Sequence, residues 1–221
     1  MAGRGKVGLE DEKSHQRVFA LNENNKWVPA VEPIHFDKPE IVEVGPGLSF
    51  GKFIANSDES LQVGLIPCAF GQTSIKQWCK GEMLYETAIK RTLIAGKDGI
   101  LKGILWHQGE TDTLTKEDVD AYANRLVQLI EDIRSDIKMP EVPFVLSELG
   151  YFLEYCEPII YRDPLDNFDP KFYNVVKEAI ASIPARVTNC ALVSSAGLED
   201  KGDNIHFSAK SQRELGIRCG R

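Results

Sequence analysis

Near its carboxyl end the chain reads Asp203-Asn204-Ile205-His206, an acid three residues before a histidine and just ahead of Ser208, which reads as a helix start. Across a short loop entering a helix, that spacing brings a carboxylate to the imidazole Nδ1, fixes the tautomer and leaves Nε2 as a base. The plainer alternative is an aspartate that closes a turn beside a packed histidine. Further upstream, Gln108 and Gly109 in "WHQGETD" stand at the end of an apolar run, where a side-chain amide can donate into a site. Gly71 likewise offers a backbone N–H unshielded by a side chain. A histidine–aspartate pair and two donors make most of an acyl-transfer site. They lack a nucleophile.

The chain supplies poor candidates for one. No G-x-S-x-G elbow occurs. Ser74, in "FGQTSIKQW", reads as a helix-start hydroxyl, and Ser147, Ser194 and Ser195, in or at the ends of apolar runs, read as structural. His107 and Glu110 are two metal-ligand types without a third, so no metal site is expected, and no cofactor.

Elements must hold these residues in place. Four short apolar runs, "LQVGLIP" (61–67), "ILKGILW" (100–106), "VPFVLS" (142–147) and "CALVSS" (190–195), read as strands, and their lack of strict alternation suits cover on both faces. Helical spacing follows Thr115, with Asp118 three residues on and Val119, Tyr122, Leu126, Leu129, Ile130, Ile133 and Ile137 along one side. A second helix is predicted over 172–183, stopped by Pro184, and shorter ones over 46–55, 84–95 and 208–216. Strands alternating with helices predict an open three-layer α/β/α domain with a parallel sheet. Ligands in such folds sit beyond the strands' carboxyl ends, where Gly71, Gln108, Glu110, Asp203 and His206 fall. Residues 6–44 and 151–168 are polar and weakly periodic, and are expected as long loops.

Composition narrows the partners. The formal net charge of -7 comes without a Lys/Arg run, which argues against a nucleic-acid partner. No stretch approaches the roughly 18 to 20 apolar residues that span a bilayer, so no membrane partner is expected. Cys68, Cys79, Cys156, Cys190 and Cys219 lack C-x-x-C spacing and read as reduced core thiols.

Taken together, "MAGRG", "GLIPCAFGQTSIKQW", "ILWHQGETD", "SELGYFL" and "DKGDNIHFSAKSQRELG" resemble the sialate O-acetylesterase and acetylxylan esterase-like branch of the SGNH hydrolases, from Met1 to about Gly216. The resemblance implies a flavodoxin-like sheet and a serine esterase acting on acetylated carbohydrates, small or oligosaccharide. It implies His206 as general base, Asp203 as orienting acid, Gly71 and Gln108 as oxyanion donors and Glu110 as an anchor of the site loops. Relatives commonly carry Gly-Gly where this chain has Gly71-Gln72, which leaves the backbone donor open by one position. In that family the first block reads G-Q-S-N-M-A-G-R-G with its Ser as nucleophile, so Met1 matches the Met two positions later. The expectation is a single domain over 1–221, cut short at both ends, with its first strand and nucleophile upstream and no useful activity of its own. A catalytically dead relative that binds glycans or a protein partner is the alternative. The upstream codons would separate the two.

Overall fold

The computed structural model describes residues 1–158 and 169–221. In chain order it gives β1 (Val18–Leu21), β2 (Trp27–Pro29), α1 (Gly47–Ser57), β3 (Val63–Leu65), α2 (Met83–Ala95), β4 (Ile104–Trp106), α3 (Lys116–Asp136), β5 (Phe144–Ser147), α4 (Tyr173–Ser182), β6 (Cys190–Val193) and α5 (Ala209–Cys219). The four expected strands form, each trimmed to three or four residues. The five expected helices form within a few residues of their predicted bounds.

One continuous parallel sheet does not form. The strands make two three-stranded sheets, β2-β1-β3 and β4-β5-β6, and no strand pairing joins them among the described residues. The second is wholly parallel, with Ile104 opposite Phe144 and Phe144 opposite Cys190. In the first, β1 runs parallel to β3 but antiparallel to β2. This corrects the reading of 6–44 as loop throughout, because it contains the β1–β2 hairpin. Its turn is built by asparagines: Asn22 Oδ1 accepts the N–H groups of Asn24 and Lys26, and Asn25 sits at φ 55°, which Asn tolerates better than most residues. Of the other expected loop, Tyr151–Tyr155 is a 3-10 turn, while 159–168 lies outside the described residues.

Helix α3 shows why the periodicity was readable. Thr115 accepts from the Asp118 N–H at 3.2 Å, capping the first turn, and Val119, Tyr122, Leu126, Leu129 and Ile130 are buried. Their three- and four-residue spacing turns one stripe onto β4-β5-β6, where Trp106, Phe144 and Leu146 meet it. The first sheet has a smaller core of Val18, Ala20, Leu48, Ala55 and Leu65. Two buried arginines tie strand ends to helices. Arg91 of α2 donates to the carbonyls of Leu21, Asn22 and Pro67, and Arg134 of α3 to those of Val142 and Asn189. The cysteines are unpaired and partly buried, and Cys190 packs against the larger core. Burial pushes the Cys68 and Cys219 thiols up to about 11.

Candidate active site

The loop after β6 folds around its own aspartates. Asp203 Oδ1 accepts the backbone N–H groups of Ile205 and His206, and Oδ2 lies 2.8 Å from His206 Nδ1. Asp200 Oδ2 accepts from Gly202 and Asn204 within the same loop, and Asn204 takes a left-handed φ of 55°. Burial pushes the Asp203 carboxyl upward, but hydrogen bonds from the His206 ring and the two backbone groups outweigh it and hold it below its ordinary value. The His206 side chain is 41% exposed, and Nε2 has no hydrogen-bond partner among the described residues.

The neighbouring Phe207 fixes this loop to the rest of the site. Its ring packs 5.5 Å from the His107 ring and 4.9 Å, edge-on, from Phe152. His107 opens the segment after β4. Its Nδ1 is 2.8 Å from Ser147 Oγ on β5 and its Nε2 is 3.2 Å from Glu110 Oε1. Burial alone would raise the Glu110 carboxyl, but the His107 hydrogen bond and charge outweigh it and leave it at about 2. His107 and Glu110 thus form an i, i+3 pair within the β4 loop.

Gln108 points inward. Its Nε2 donates to the Thr73 carbonyl at 2.8 Å and to Asp112 Oδ2 at 2.5 Å, while Oε1 is buried without a partner. Both amide hydrogens therefore face protein acceptors in this arrangement. Tyr122 Oη donates to the Gln108 carbonyl at 2.7 Å, and Gly109, at φ 146°, passes close enough that a Cβ would press on Tyr122 and Val176. Asp112 is fully buried, and desolvation pushes its carboxyl up to about 7 despite its hydrogen bonds.

The loop after β3 carries Gly71. Its N–H donates to Asp37 Oδ2 at 2.9 Å, and that carboxylate also receives Arg4 at 3.4 Å. The Gly71 N–H is thus engaged internally. The next residue, Gln72, stands at φ 62°, the left-handed region that a second glycine would occupy more easily, and its own N–H has no partner among the described residues. Ser74 starts the 3-10 turn Ile75–Trp78, its N–H donating to Gln77 Oε1. Ser194 donates to Glu148, and the buried Ser195 donates to the Leu149 carbonyl. The amino-terminal "MAGRG" runs among these loops: the Met1 nitrogen reaches the His107 carbonyl at 3.4 Å, and Gly5 bridges Val44. Sequence reasoning missed Arg4, Asp37 and Asp112. Asp112 lay inside the quoted "HQGETD", where its acid was overshadowed by Glu110, and Asp37 carried no local signal.

Among the described residues the fold is mixed α/β, with parallel strands, five helices and a histidine–aspartate pair on the loop after β6. The chain belongs to the carbohydrate esterases described as sialic acid-specific acetylesterases, a family matched over residues 1–221. It is 32% identical over 205 residues to a protein of Arabidopsis thaliana named "Probable carbohydrate esterase", spanning 90% of this chain and 72% of that protein. An X-ray structure of an Arabidopsis thaliana protein superposes with a TM-score of 0.84 at 30% identity, covering 100% of this chain and 91% of the other. A carbohydrate acetylesterase from Xanthomonas citri matches with a TM-score of 0.66 at 15% identity, over 96% of this chain and 49% of that one, a likeness of fold alone.

Proposed function

We propose that this chain forms the body of an esterase that removes O-acetyl groups from carbohydrates through an acyl-enzyme. One observation carries the reading: Asp203 holds His206 by Nδ1 and leaves Nε2 uncommitted at the carboxyl-end side of the strands. In the proposed reaction, His206 Nε2 takes the proton of a serine hydroxyl as it attacks the acetyl carbonyl, and Asp203 stabilises the imidazolium. Collapse of the tetrahedral intermediate breaks the acetyl C–O bond to the sugar, and the imidazolium gives its proton to the departing sugar oxygen; water, deprotonated by His206, then attacks the acetyl-enzyme, and acetate leaves as the serine regains its proton. The oxyanion would be held by the backbone at Gly71–Gln72 and by Gln108. Since the Gly71 N–H is taken by Asp37, the Gln72 N–H is the better-placed backbone donor, and Gln108 must release one of its two acceptors to donate.

None of the described serines hydrogen-bonds His206. The reading therefore assigns the nucleophile to a serine ahead of Met1, carried by a strand that would complete a three-layer sheet between β3 and β4. The 221 residues alone are then expected to turn over acetyl esters poorly.

The test is hydrolysis of p-nitrophenyl acetate, acetylated xylan and O-acetyl sialic acid by this chain and by a form extended upstream through the serine. Only the extended form should be active. By the serine-protease precedent, Asp203→Asn should lower its kcat by about 10⁴, and His206→Ala by at least as much. Near-parental turnover by His206→Ala would remove the base from the mechanism. An extended form that binds acetylated glycans without hydrolysing them would favour a binding protein instead.

A further inference from the structure

We propose that Asp112 is a positioning residue, tying the loop after β3 to the loop after β4 and setting how the Gln108 amide sits. The inference rests on the esterase reading above and goes beyond it in naming what holds the two oxyanion-donor segments in mutual register.

The argument starts from a carboxylate that has no evident reason to be where it is. Asp112 is fully buried, and no cation pairs with it among the described salt bridges. A buried acid is costly unless its oxygens are satisfied. These are satisfied by the two site loops. The Ile75 N–H points at both Oδ1 and Oδ2, at 3.1 and 3.0 Å, and Gln108 Nε2 donates to Oδ2. Gln108 Nε2 also donates to the Thr73 carbonyl, so the contacts close into a ring from Thr73 to Gln108 to Asp112 to Ile75. Thr73 and Ile75 follow Gly71 and Gln72 on one loop, whereas Gln108 follows β4. The residues that meet in the ring lie 35 and 37 positions apart in sequence.

Other contacts hold each loop from its own side. Thr73 Oγ1 donates to the Phe70 carbonyl and receives Trp78 Nε1, and Tyr122 supports the Gln108 backbone. Among these contacts, only those through the Gln108 amide and Asp112 cross from one loop to the other. Burial keeps the carboxyl readily protonated, in keeping with a group used for geometry rather than for charge. Asp112→Leu keeps much of the shape but removes both acceptors, so the Ile75 N–H loses its partner and Gln108 Nε2 keeps only the Thr73 carbonyl.

Two readouts test this. In the upstream-extended protein, Asp112→Leu should lower kcat for p-nitrophenyl acetate at least tenfold while KM stays within twofold. In the 221-residue chain, hydrogen exchange at the Ile75 amide should quicken at least tenfold. If Asp112→Leu fails to fold, Gln108→Met opens the same ring from the β4 side, and Ile75 exchange should quicken at least threefold. Unchanged exchange in whichever variant folds would overturn the proposal, as would faster exchange with parental kcat in Asp112→Leu. The His206→Ala variant, assayed alongside, separates the two claims: its failure to lose activity counts against the esterase reading, not against the ring.

Discussion

The two halves of the molecule are built to different standards. The β4-β5-β6 half is packed with large side chains, Trp106, Phe144, Tyr122 and Leu126 among them, while the β2-β1-β3 half closes over Val18 and the alanines 20, 30 and 55. The site is divided the same way. The His206–Asp203 pair, the His107–Glu110 pair and the buried Asp112 all rest on the larger core, and the smaller half contributes chiefly loop backbone near Gly71. His107 and Asp112 sit where packing fixes their side chains, whereas His206, 41% exposed, is held by Asp203 at Nδ1. Backbone donors tolerate a looser support, because a few tethers such as Asp37 and Arg4 fix them.

That comparison is sharpest in the cores. Phe144→Ala should cost about 3 to 5 kcal/mol, because a fully buried ring leaves a cavity that its neighbours cannot fill. Leu65→Ala, at 9% exposure in the smaller core, should cost about 2 kcal/mol, the low end for such truncations. Urea midpoints of both variants measure the difference, and equal losses would dissolve the contrast between the halves.

Two carboxyls, Glu110 on the larger half and Glu32 on the smaller, respond to pH in opposite directions. Glu110 is depressed to about 2, so its stabilisation is complete above its ordinary 4.5 and is lost as pH falls from there toward 2. Glu32, on the smaller half, is pushed by burial to about 7, so its contribution is complete below 4.5 and is lost as pH rises toward 7. Denaturation midpoints should therefore fall less steeply below pH 4.5 in Glu110→Gln and less steeply between pH 4.5 and 7 in Glu32→Gln. The reverse pattern would show that the two carboxyls are held otherwise. The smallest effect is expected at Gln72, where relief of the left-handed φ by Gln72→Gly should stabilise by about 1 kcal/mol, read as a rise in Tm.

Legibility followed the range of the interaction. Helix α3 and the Asp203–His206 contact were readable because an N-cap, a stripe and an i, i+3 turn involve residues close in sequence. The β1–β2 hairpin escaped because its strands are four and three residues long, too short for periodicity to stand out from a polar stretch, although the asparagine-rich turn between them was a usable sign. Gly71 and Gln108 were placed at strand ends from sequence, yet what their donors touch was not readable. Asp37 lies 34 residues from Gly71, and Asp112 lies 37 from Ile75.

By itself the sequence determined the alternation of strands and helices, the ends at which polar residues gather, and the aspartate that orients His206, since each depends on torsions and spacings within a turn or two. The tertiary structure decided that the strands divide into two sheets, that Asp37 occupies the Gly71 amide, and that Asp112 binds both site loops. Those contacts arise when distant segments are brought together by packing of the two cores, and no local pattern carries that information.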